Sequence, residues 1–317
     1  MVIRSKAWKP NLLSATVGIA GLLVTVAQTA SVAKPTSDAA ETTTNVVVEK
    51  DITYGKGGTE DLKLDLARPE HADGLLPGIV YIHGGGWSGG NRAAYKNDIQ
   101  EAAKRGYVAV TIEYRLTQPD KSGKAKYPFP AQIEDSKCAV RWLRANAEKY
   151  HVDPNRIGVT GGSAGGHLSL LVGVTGAEKK FDGMGGNPDA SSKVQCVVNY
   201  FGPTDLPRMY GYEKRVDGLL NTLVGGTPQQ RADQYKEASP VTYVTKDICP
   251  ILSIHGTADK LVPVDQAVEF DAAMKKAGAT SELMILEGQG HGFMGPAARK
   301  AREATFAFFD KHLKPAK

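Results

Sequence analysis

Short apolar runs recur along this chain, and helical patterns fill the gaps between them. Gly78 to Ile82, Tyr107 to Ile112, Arg156 to Thr160, Val194 to Tyr200, Ile251 to Ile254 and Leu283 to Leu286 each read as a short, buried strand. Asn45 to Tyr54 and Leu62 to Ala67 read as two further strands forming an antiparallel edge. Between them, Ile133, Val140, Leu143, Ala147 and Tyr150 recur at helical spacing, as do Ala267, Phe270, Met274 and Ala277. A last helix over about 296–313 carries Ala297, Ala301, Ala304 and Phe308 on one face. Strands alternating with helices imply βαβ units and an α/β fold, with a mostly parallel central sheet flanked by helices. One stretch breaks the alternation, residues 202–250 after the sixth strand. A connection of that length in a compact domain is usually functional, and it is expected to form a cap with short helices of its own.

The start of the chain has a different character. Arg4, Lys6 and Lys9 precede an apolar stretch from about Leu12 to Ala27, and Ser31-Val32-Ala33 presents small residues at a cleavage position. Residues 1–33 therefore read as a secretory signal peptide, and 34–44 as a disordered linker. That leaves a single catalytic domain over 45–317 and predicts a secreted or periplasmic product without stable membrane insertion. Losing the three leader cations lowers the formal net charge from +5 by three, to +2. The basicity thus gives no support for nucleic acid as a partner. Cys138, Cys196 and Cys249 are too far apart in sequence for a metal knuckle. They allow either one disulfide with a thiol left over, or three buried thiols.

With 35 glycines, composition alone predicts roughly 0.2 chance matches to G-x-S-x-G, and the chain contains two. Gly86-Trp87-Ser88-Gly89-Gly90 is one. The other, Gly161-Gly162-Ser163-Ala164-Gly165, directly follows the Arg156–Thr160 strand and precedes the apolar run Leu168, Leu170, Leu171 and Val172. Only this one has the strand–turn–helix context of a nucleophile elbow, in which a tight, strained turn exposes the serine at a helix N-terminus. Ser163 is therefore the candidate nucleophile.

His83-Gly84-Gly85-Gly86-Trp87 ends the third strand, where a glycine-rich turn can aim backbone N–H groups at an oxyanion. Gly85 and Gly86 are the candidate donors, joined by the N–H of Ala164; His83 reads as a brace for the loop. The acid and base of such a site follow the serine in chain order. Asp259 lies just after the Ile251–Ile254 strand and His291 just after Leu283–Leu286, both at carboxyl ends, where α/β sheets place their sites. His255 reads as a core residue and His167, on the elbow helix, as a neighbour of the site. Asp265 is a rival acid better suited to a helix N-terminus, and Asp135 reads as a structural charge. Trp87 beside the oxyanion loop and Phe293 beside His291 are expected to narrow the acyl side.

His83-Gly84-Gly85-Gly86-Trp87, Gly161-Gly162-Ser163-Ala164-Gly165-Gly166, His255-Gly256-Thr257-Ala258-Asp259 and Gly290-His291-Gly292 together resemble the motifs of the hormone-sensitive-lipase-like carboxylesterases, and in particular bacterial acetyl esterases and feruloyl (xylan) esterases, over about residues 45–315. The resemblance implies an α/β-hydrolase fold. It also implies serine ester hydrolysis by Ser163, Asp259 and His291 with an oxyanion hole at Gly85, Gly86 and Ala164. No metal or organic cofactor is implied, and the expected substrate is a small-molecule or polysaccharide-linked ester. Kynurenine formamidases share the His-Gly-Gly-x-Trp loop, so arylformamide hydrolysis stays open. A catalytically inactive binding protein on the same fold is the alternative from another class. Oligomeric state leaves no trace in the sequence.

Overall fold

A computed structural model describes residues 45–119, 121 and 124–314. The expected leader and linker lie outside these residues. The core is an eight-stranded sheet in the order β1-β2-β4-β3-β5-β6-β7-β8. Its strands are β1 (Val46–Gly57), β2 (Glu60–Pro69), β3 (Leu76–Ile82), β4 (Val108–Ile112), β5 (Val152–Gly162), β6 (Cys196–Tyr200), β7 (Ile251–Gly256) and β8 (Ser281–Leu286). β2 runs antiparallel to β1 and β4, and every other pairing is parallel. All eight strands read from the sequence are present, as an α/β-hydrolase sheet.

The helices are α1 (Lys96–Lys104), α2 (Ala131–Ala145), α3 (Ala147–Tyr150), α4 (Ala164–Val174), α5 (Leu206–Met209), α6 (Lys214–Val224), α7 (Ala232–Glu237), α8 (Asp265–Lys276) and α9 (Gly295–Leu313). Side chains alternate across each strand, so β3 sends Val80 and Ile82 into one core and Ile79 and Tyr81 into another. The first core is closed by α2, α4 and α8, the second by α1 and α9. Strands buried on both faces need apolar residues at consecutive positions, which explains the unbroken runs in the sequence. α4 is buried along nearly its whole length, as befits a helix apolar on every side.

The chain moves outward from β3 to β4, then crosses back to β5 on β3's other side. That switch point opens a crevice at the carboxyl ends of β3 and β5. The 202–250 segment, carrying α5, α6 and α7, lies between β6 and β7 and contributes to its wall. Cys138, Cys196 and Cys249 are all free thiols. Among the described residues, no helix is long and apolar enough to cross a membrane.

Candidate active site

β5 ends at Gly162, and Ser163 turns the chain into α4 with φ 57° and ψ −123°. A side chain in that region costs on the order of 1–3 kcal/mol and persists only where its surroundings hold it. Here Ser163 N–H donates to Tyr200 O (2.9 Å), and His167 N–H donates to Ser163 O (3.0 Å). The turn also needs room. A Cβ on Gly165 would lie 1.9 Å from Ile82 O, so only glycine lets α4 pass this close to β3.

Asp259 and His291 reach the serine from the loops after β7 and β8. His291 Nε2 is 2.8 Å from Ser163 Oγ, and its Nδ1 is 2.8 Å from Asp259 Oδ2. An ionised carboxylate only accepts, so Nδ1 carries the proton and Nε2 presents its lone pair to the hydroxyl. The Asp259 side chain is fully buried, and its Oδ1 accepts from Leu261 N–H (2.8 Å) and Val262 N–H (3.0 Å). Burial acts to raise the carboxyl's pKa. Hydrogen bonds from His255, His291 and Val262 N–H outweigh it and hold the group well below the usual carboxylate range. A permanently charged acceptor is thereby fixed behind His291.

The loop after β3 faces these groups. Gly85 and Gly86 have φ of 117° and 59°, and a Cβ on Gly86 would meet Leu219 Cδ1 at 2.6 Å. Gly84, Gly85 and Gly86 line the same cavity as Ser163 and His291, while Ala164 supplies the first N–H of α4 beside Ser163. The Trp87 indole N–H donates to His167 Nδ1 (3.1 Å), and His167 Nε2 lies 2.7 Å from Ala238 O. Because an indole can only donate, Nδ1 must be the acceptor and Nε2 the donor. His83 stacks on Tyr114 at 4.3 Å and accepts its hydroxyl at the backbone oxygen (3.0 Å), bracing the loop.

The cavity measures about 460 Å³. Met209, Arg215, Val216 and Leu219 of the 202–250 segment line one side, and Tyr95, Phe201, Leu261 and Val262 complete the wall.

A serine hydrogen-bonded to an imidazole, itself anchored to a buried carboxylate beneath a glycine loop, invites comparison with proteins of known family. A family model described as BD-FAE matches residues 64–274. The chain belongs to the BD-FAE family. Among curated relatives, it is similar to the probable carboxylic ester hydrolase LipM of Mycobacterium tuberculosis. The two are 35% identical over 225 residues, which is 69% of this chain and 50% of LipM. The chain thus spans about half the length of the curated relatives it matches. Among solved structures, it resembles a truncated carbohydrate esterase from gut microbiota, with TM-score 0.74 and 30% identity, covering 87% of this chain and 99% of that one. It also resembles a propionate-bound thermophilic esterase of Thermogutta terrifontis, with TM-score 0.69 and 28% identity, covering 88% and 98%. These matches agree with the resemblance to hormone-sensitive-lipase-like carboxylesterases.

In this BD-FAE chain the rivals lie apart from the hydrogen-bonded set. Ser88 sits in the glycine loop, its N–H turned to Gly85 O (3.2 Å). Asp265 is exposed in the first turn of α8. Asp135 is buried against Arg115, 2.7 Å away. The expectation for Phe293 fails. It lines a neighbouring cavity rather than the one at Ser163, because Phe201 stands between, with ring centroids 5.2 Å from Phe293 and 4.7 Å from His291. Phe201 is the ring beside His291. Trp87 does line the cavity, but it is only 2% exposed, its N–H drawn inward by His167. Narrowing therefore comes from Phe201, Tyr95 and Leu219.

Two residues carry more than the sequence reading assigned them. His255 is buried, yet its Nε2 lies 3.3 Å from Asp259 Oδ2 and 3.0 Å from Val262 O. The Tyr212 hydroxyl donates to Asp259 O (3.1 Å) from the loop before α6. The four-residue spacing of His255 and Asp259 around a turn was the available signal for the first. Nothing local marks the second.

Proposed function

We propose that this protein hydrolyses carboxylic esters through an acyl-enzyme. The hydrogen-bonded relay from Ser163 through His291 to Asp259 carries the reading. Ser163 Oγ attacks the ester carbonyl as His291 Nε2 takes the hydroxyl proton. The N–H groups of Gly85, Gly86 and Ala164 donate to the developing oxyanion. As the tetrahedral intermediate collapses, His291 returns the proton to the departing alcohol and the acyl group stays on Ser163. Water then attacks the acyl-enzyme with His291 as base, and the carboxylic acid leaves.

The preferred acyl group in this reading is short, acetyl to butyryl. The bulky side chains of Phe201, Tyr95 and Leu219 in the cavity wall support that, as does the likeness to an esterase holding propionate. Likeness to a carbohydrate esterase supports an acylated saccharide as the alcohol component. In the same reading Ser31-Val32-Ala33 is cleaved and the product is exported, its mass starting at about Lys34.

The test is kcat/KM across an acyl series at fixed leaving group, in the wild type and in Ser163→Ala. Expected are a maximum between acetyl and butyryl, a fall by octanoyl, and a loss on the order of a millionfold in Ser163→Ala. A steady rise through octanoyl refutes the short-acyl reading. Negligible ester turnover beside rapid N-formylkynurenine hydrolysis replaces ester with formamide. Absence of both, with no fluorophosphonate labelling, leaves a binding protein.

A further inference from the structure

We infer that Arg215, at the rim of the Ser163 cavity, selects esters that carry a carboxylate beyond the scissile bond. The inference rests on the ester reading and narrows its substrate class.

Apart from His291, Arg215 is the one ionisable cation or carboxylate among the cavity's described lining residues; the rest are glycines, aromatics, aliphatics, serines, a methionine and a proline. It projects from the first turn of α6 and is exposed, whereas Val216 and Leu219 from the same helix sit deeper in the wall. The wall is therefore apolar near the nucleophile and cationic at the mouth.

No carboxylate among the described residues lies within ion-pair distance of the guanidinium, and the acids nearest in sequence, like Asp259 of the site, are committed elsewhere. Glu213 accepts from Val216 N–H (3.0 Å) as the helix cap. Asp217 accepts from Gly211 N–H (2.8 Å). Asp259 is saturated by two histidines and two backbone N–H groups. The contrast with Arg208, which comes from the same segment but pairs with Glu269, is direct. A fixed positive charge with five donors and no carboxylate partner among the described residues, facing a substrate cavity, attracts an anion, and its planar fork suits a carboxylate.

The place of the charge decides which part of the substrate carries that anion. With the acyl group on Ser163 seated against the apolar interior, the inference places the alcohol portion toward the mouth. Arg215 therefore meets a carboxylate on the alcohol side, as in an acylated uronic acid or another acidic alcohol.

The experiment compares acetate esters of matched neutral and carboxylate-bearing alcohols, with a neutral-alcohol hemisuccinate as the acyl-side arm, in the wild type, Arg215→Gln and Arg215→Glu. The wild type is expected to favour the anionic alcohol by about fivefold in kcat/KM, the scale of one solvent-exposed charge pair. That ratio is expected to collapse in Arg215→Gln, to invert in Arg215→Glu, and to shrink at high salt. A preference confined to the hemisuccinate overturns the assignment to the alcohol side. Ratios that ignore position 215 overturn the inference, while turnover of the neutral acetate still upholds ester hydrolysis. Should no ester turn over, the ester reading fails, and calorimetry still tests the anion site. The intact anionic ester should bind Ser163→Ala more tightly than Ser163→Ala/Arg215→Gln, and equal affinities refute it.

Discussion

Lowering the pH from 7 to 5 is expected to weaken the fold through His167. This imidazole is fully buried one turn into α4 and joins Trp87 of the glycine loop to Ala238 of the 202–250 segment. Desolvation pulls its pKa down from 6.5 to about 4, against the opposing hydrogen bond to Ala238 O. A proton on Nδ1 would also face the Trp87 N–H, setting donor against donor. Between pH 6.5 and 4 the unfolded chain binds the proton and the folded chain does not, so stability falls as pH falls through that window and levels off below it. At 1.36 kcal/mol per pH unit the full loss is about 3 kcal/mol, of which about 2 kcal/mol is reached at pH 5. Urea unfolding of the wild type and His167→Gln at pH 7, 5 and 4 reads this out, since the variant keeps every other titrating group. The wild type should lose about 2 kcal/mol more than the variant between pH 7 and 5. Equal losses in both proteins would refute the reasoning.

Asp259→Asn should lower turnover by roughly ten-thousandfold by misorienting His291, whereas Asp265→Asn should have little effect. The reverse ranking in kcat would reassign the acid. Gly165→Ala should destabilise the protein by about 3 kcal/mol or more, since its Cβ would sit 1.9 Å from Ile82 O with backbone on both sides. A denaturation midpoint equal to wild type would show that β3 and α4 can separate at little cost.

The elements legible in the sequence were those whose cause is local. The inner strands could be read because burial on both faces demands consecutive apolar residues, and Ser163 could be told from Ser88 because an elbow needs a strand before it and a helix after it. Asp259 and His291 followed from chain order and from their position just past β7 and β8. Side-chain direction was another matter. Phe293 and Phe201 lie 92 positions apart in the chain, and nothing in either neighbourhood says which ring stands against His291. His255 looked like core because its strand is core, yet the turn after β7 folds Asp259 back onto it. α6 brings Arg215 to the cavity mouth and Leu219 against Gly86, and α7 leads to the Ala238 carbonyl that fixes His167. Periodicity and turn chemistry act over a few residues and are written in any short window of the chain. Contacts between loops from different strand ends depend on how the sheet twists and where the 202–250 segment settles, so they exist only once the whole domain has closed.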